Sequence, residues 1–120
     1  MKIKVSDYIA DFLAVHGVRQ VFSVVGGGAM HLNDSLGHHE ALSTIYQHHE
    51  QAAAMAAECY TRLHGEMAAL CVTSGPGALN AISGVVGAYQ DSIPMIVLSG
   101  QAKSTLCIAG CGGKIRTIGG

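Results

Sequence analysis

Residues 20–25, QVFSVV, form a short β-branched run without apolar/polar alternation, and the run stops at three glycines, Gly26, Gly27 and Gly28. A strand continuous in its apolarity has to be covered on both faces, the condition of a strand in a parallel sheet flanked by helices. Three further runs read as strands: LSTIYQ (42–47), MAALCVTS (67–74) and PMIVLSG (94–100). Helical stretches separate them at 6–16, within AMHLNDSLGHH, at 49–64 and at 77–91. Ser6 reads as the N-cap of the first helix and Gly17 as its stop, while Gly65 ends the long alanine-rich one. Alternating strands and helices predict an α/β fold, doubly wound, with a mostly parallel sheet and helices on both faces. No internal repeat or domain boundary interrupts 1–120. Residues 101–120 lack an amphipathic pattern where another helix and strand would normally follow, so an incomplete domain, truncated at its C-terminus, is expected.

A net charge of −1 excludes a basic nucleic-acid binder. Asp7 and Asp11 interrupt any signal-peptide core, and no apolar run approaches the ~18 residues of a membrane span. A cytoplasmic protein away from the membrane is expected. The four cysteines show no secreted framework. Cys59 and Cys71 lie in apolar runs, where cysteine usually serves as a small buried hydrophobe.

Seven histidines invite a metal reading. A zinc-protease helix needs a second histidine four positions after the first, but four beyond His49 stands Ala53. The adjacent pairs His38-His39 and His48-His49 point in different directions, and Cys107 and Cys111 have no partner pair. No metal site is expected. The turns GGGAMH and SGPGALN each follow a strand and open a helix, where backbone N–H groups favour an anion or a polar ligand edge. Neither carries the P-loop lysine or a good dinucleotide fingerprint, so each is either a structural turn or a ligand cradle. Glu50 opens the run in which Ala52, Ala53, Ala54, Ala56 and Ala57 allow close backbone approach. A first-turn glutamate can be only a dipole complement, worth ~0.3–1 kcal/mol. At the mouth of so apolar a segment it can equally be an acid that desolvation makes ready to share a proton.

The combination HHEQAAAMAAECYTRLHG and CVTSGPGALNAISGVVGAYQDSIPMIVLSGQ closely resembles the amino-terminal pyrimidine-binding domain of thiamine-diphosphate enzymes of the acetolactate synthase and pyruvate oxidase family. The likeness runs from about residue 4 to 101 and rests on H-E-x-x-A-x-x-x-A-x-x-x-x-R paired with T-S-G-P-G-x-x-N. It implies a flavodoxin-like doubly wound domain in which Glu50 hydrogen-bonds N1′ of the cofactor's aminopyrimidine and so activates it. By the same resemblance, the turn Val25, Gly26 and Gly27 packs against the pyrimidine, with Val25 standing where many members have proline. Thr73, Pro76, Gly77 and Asn80 line the site near Glu50.

The resemblance further implies thiamine diphosphate as cofactor, with Mg2+ held by a separate diphosphate-binding domain that these residues lack. FAD could also occur in the parent protein. The implied chemistry decarboxylates a small 2-keto acid and transfers the acyl-anion equivalent to an acceptor, in a homodimer or homotetramer whose site lies between subunits. The 120 residues alone are expected to be inactive. Two rival readings are a natural split subunit of a keto-acid decarboxylase and a non-catalytic flavodoxin-like association module.

Overall fold

A computed structural model describes residues 2–102. Its elements run α1 (Val5–Val15), β1 (Gln20–Ser23), a 3-10 turn (Gly27–Ala29), α2 (Met30–His38), β2 (Ser43–Tyr46), α3 (Glu50–His64), β3 (Ala68–Val72), α4 (Pro76–Gln90) and β4 (Met95–Ser99). The four strands form one sheet in the order β2-β1-β3-β4, and every neighbouring pair is parallel. The doubly wound parallel reading therefore holds.

Strand periodicity explains the two covered faces. Val21, Ala69 and Cys71 face a core shared with Ala10 and Leu13 of α1 and Leu36 of α2. Phe22, Ala68, Leu70 and Val72 face the opposite core, with Ala53, Ala54 and Ala57 of α3 and Ala81 of α4. All five β3 residues are buried, so the continuous apolarity of this strand reflects its place inside the sheet. Full burial of a side chain such as Leu70 contributes ~1.5–3 kcal/mol. At the end of α3, Gly65 adopts the left-handed conformation (φ 70°) and its N–H bonds the Thr61 carbonyl, a geometry that glycine enters without a Cβ penalty. The Thr61 hydroxyl then accepts from Ala68 N–H at 3.2 Å, tying the helix to β3.

Three local expectations are corrected. Ser6 is not an N-cap: α1 starts one residue before it, and Lys4 occupies the cap position without a side-chain cap bond. Ser6 is buried instead, its hydroxyl 2.8 Å from that of Ser35, which donates to Asp7 Oδ1 at 2.6 Å and joins α1 to α2. β1 ends at Ser23, two residues early, because after Val24 N–H bonds the Cys71 carbonyl the chain leaves the sheet and exposes Val25. Cys59 is exposed on α3, whereas Cys71 is buried and its thiol is pushed up to about 11 by desolvation, which a Ser23 hydrogen bond partly opposes. Cys107 and Cys111 lie outside the described residues. Among the described residues, no helix is long and apolar enough to cross a membrane.

Candidate functional site

The chain passes from β1 to β2 on one side and then returns to place β3 on the other, so β1 and β3 are neighbours whose following segments diverge. Ligands of open α/β sheets bind at such a switch point, outside the carboxyl ends of the strands. Beyond those ends lie the glycine turn after β1, the start of α3 after β2 and the start of α4 after β3.

Gly75, with φ 67°, turns the chain out of β3, and Pro76 supplies the first residue of α4, where its missing N–H costs nothing. His49 stands at the N-cap position of α3 with extended backbone and no side-chain cap bond, so Glu50 is the first helical residue. The helices pack with Glu50 facing Asn80, whose Nδ2 donates to Glu50 Oε2 at 2.7 Å. The same Nδ2 lies 3.5 Å from His49 Nε2. Glu50, Pro76, Gly77, Leu79 and Asn80 line an open depression of about 520 Å³. Its size is within the usual range for a small-molecule site.

Thr73 sits beneath this depression. A Cβ placed on Gly26 would come within 2.5 Å of the Thr73 side chain, and one on Gly77 within 2.7 Å. Thr73 Oγ1 accepts from Gly28 N–H at 3.1 Å, so this side chain clamps the first glycine turn to the start of α4. Replacing Thr73 by valine keeps the shape but orphans that N–H. We expect a loss of ~1–3 kcal/mol in urea unfolding, with Thr73→Ser, which retains the acceptor, losing less.

Of the residues singled out in the sequence, Glu50, Pro76, Gly77 and Asn80 thus share one depression. Thr73 and Gly26 support it from below, while Val25 and Gly27 do not line it. Sequence reasoning missed Leu79, the apolar wall, although an apolar residue in the first turn of a helix after a glycine turn was a usable signal. In the single chain Glu50 is half-buried and opens toward solvent. Among the described residues, no group of three or more histidine, cysteine or acidic side chains is arranged to hold a metal ion.

The fold and the depression define a doubly wound α/β ligand-binding domain with a carboxyl group at its switch point. Residues 3–110 match the family described as "Thiamine pyrophosphate enzyme, N-terminal TPP binding domain", and the chain belongs to that family. It is 39% identical over 105 residues to the acetolactate synthase large subunit of Haemophilus influenzae, covering 88% of this chain and 18% of that one. Similarity to the acetolactate synthase isozyme 3 large subunit of Escherichia coli is 42% over 101 residues, covering 84% and 18%. The chloroplastic acetolactate synthase of Arabidopsis thaliana is 36% identical over 98 residues, covering 82% and 15%. The chain thus spans less than a fifth of the length of these relatives.

Proposed function

We propose that this domain binds the aminopyrimidine of thiamine diphosphate in the depression at Glu50, as part of a longer acetolactate synthase-like enzyme. The observation that carries the reading is the Glu50 carboxyl, held at 2.7 Å by Asn80 and opening onto the depression among Pro76, Gly77 and Leu79. An aminopyrimidine is a flat ring with polar edges, suited to a site with one apolar wall and one acid. Gly77 leaves room for it, since a Cβ there would stand 3.3 Å from Glu50 Oε1. When bound, the cofactor supplies a carbon that adds to the ketone of a 2-keto acid and stabilises the charge left by decarboxylation. The role of Glu50 is to share a proton with N1′ of the pyrimidine, and Thr73 with Gly26 fixes the floor on which Gly77 stands.

Mg2+ and the diphosphate belong in this reading to a further domain of the parent protein, which could also carry FAD. The acceptor receives the acyl-anion equivalent in a cytoplasmic enzyme. Assembly as a homodimer or homotetramer is supported by the outer faces of the two site helices. Leu79, Ile82, Val86 and Tyr89 form an exposed stripe on α4, and Met55 and Leu63 lie exposed on α3. A second subunit on these faces would cover the open side of the depression and give Glu50 the dry surroundings that the single chain lacks.

The stripe alone would also suit a non-catalytic association module, and one measurement separates the two readings. Thiamine diphosphate with Mg2+ at about 100 times its dissociation constant stabilises a specific site by ~2.7 kcal/mol. We expect the full-length protein to melt several degrees higher with both ligands. An unchanged melting curve would support the association module instead.

A further inference from the structure

We infer that Asn80 is a positioning residue for Glu50, one that selects which carboxylate oxygen meets the ligand; the inference rests on the reading of Glu50 above. A carboxylate offers only acceptors, so the group facing Oε2 at 2.7 Å is the amide nitrogen of Asn80. That separation is the length of a charge-assisted bond. The same nitrogen lies 3.5 Å from His49 Nε2, at the outer limit of a hydrogen bond. Asn80 thus gives its close donor bond to Glu50, at the mouth of α3.

Glu50 has an alternative that this bond suppresses. The first N–H groups of α3 have no partner from their cap residue, because the His49 side chain makes no cap hydrogen bond. A first-turn carboxylate that is free to move is drawn toward such groups by the positive end of the helix dipole. Asn80, reaching across from the first turns of α4, draws the carboxyl away from its own helix. With Oε2 occupied, Oε1 has no hydrogen-bond partner among the described residues and lies beside Gly77, where the missing side chain leaves space. Asn80 and Gly77 together present a single oxygen to the depression, one by binding its twin and the other by not covering it. In this assignment Asn80 acts on the cofactor through Glu50 and is not one of its principal ligands.

The test is a double-mutant cycle in the full-length protein with thiamine diphosphate and Mg2+, using Glu50→Gln, Asn80→Ala and the double variant. Two quantities are read without substrate: the hydrogen–deuterium exchange rate at C2 of the bound cofactor, and the cofactor dissociation constant by calorimetry. Asn80→Ala should slow exchange by roughly 10- to 100-fold, as expected for a misplaced reacting group, with the dissociation constant changed by less than about threefold. Added to Glu50→Gln, it should slow exchange by less than about twofold, because both changes remove one effect. Asn80→Leu, of similar size and without a donor, should behave as Asn80→Ala, and it replaces that variant if the alanine protein does not fold. Wild-type exchange in both Asn80 variants overturns the inference, as does an equal, tenfold or greater loss of cofactor affinity in both backgrounds. If Glu50→Gln is itself silent, the proton-sharing role of Glu50 fails and this inference with it. A slow Glu50→Gln beside a normal Asn80→Ala refutes only the inference.

Discussion

Glu50→Gln in the full-length protein should slow proton exchange at C2 of bound thiamine diphosphate by on the order of 10²- to 10⁴-fold, the range that a positioned acid or base contributes. The substitution isolates proton sharing from everything else the side chain does. Glutamine has the same length, and its carbonyl oxygen can still accept from Asn80 Nδ2, which lies 2.7 Å from Oε2 in the unsubstituted chain. Its amide neither takes up nor returns a proton at the pH of the reaction. Because the side chain is only half-buried and the bond from Asn80 is kept in neutral form, stability should fall by no more than ~0.3–1 kcal/mol, the worth of a first-turn negative charge at the helix dipole. The cofactor should still bind, since one hydrogen bond to the pyrimidine edge remains available. Exchange as fast as wild type, with the cofactor demonstrably bound, would exclude Glu50 as the activating group. Glu50→Ala is less informative: it also removes the acceptor of Asn80 and leaves that amide to find other partners.

The fold was legible because strand and helix leave different local signals. β1 and β3 announced their burial on both faces through apolar runs, and the turn glycines marked where helices stop or start, as Gly65 does with φ 70°. Within the site, the grouping of Glu50 with Pro76, Gly77 and Asn80 was accessible only through the paired motif. Glu50 precedes the other three by 26 to 30 positions, and no local periodicity connects it to them. What was not legible depends on surfaces that other parts supply. Cys59 and the half-exposed Glu50 lie in segments that read as apolar, yet helix geometry turns them outward, and a pattern alone does not say what covers them. Ser6 misled for a related reason. A serine just before an apolar helical run satisfies the cap rule, but its hydroxyl found a buried partner on α2 and the helix began earlier.

The second large effect is expected at Gly84, which does not line the depression, and its sign runs against helix propensity. Glycine to alanine in the middle of a helix normally stabilises by about 0.8–1 kcal/mol. At Gly84 a Cβ would stand 2.5 Å from Ala54 Cβ, 3.1 Å from Met55 N and 3.2 Å from Ala54 C, and both Gly84 and Ala54 are buried. Two of those three neighbours are backbone, which no rotamer change can move, so α3 and α4 must separate. Overpacking of that kind costs ~1–3 kcal/mol and outweighs the propensity gain. Gly84→Ala should therefore lower the urea midpoint. Gly87→Ala on the same helix, where the nearest atom to the new Cβ is Glu58 Oε2 at 3.5 Å, should leave it unchanged or raise it. Adding Ala54→Gly to Gly84→Ala removes the closest clash but not the backbone ones, so recovery should be partial. The functional consequence follows from register. Glu50 precedes Ala54 by four residues and Asn80 precedes Gly84 by four, so the crossing that Gly84 permits is one turn from the Glu50–Asn80 bond on both helices. Spreading the helices there lengthens that bond and frees the carboxyl. Gly84→Ala should slow C2 exchange even in protein that remains folded, whereas Gly87→Ala should not. If Gly84→Ala destabilised the protein yet left exchange at the wild-type rate, the crossing would serve stability alone.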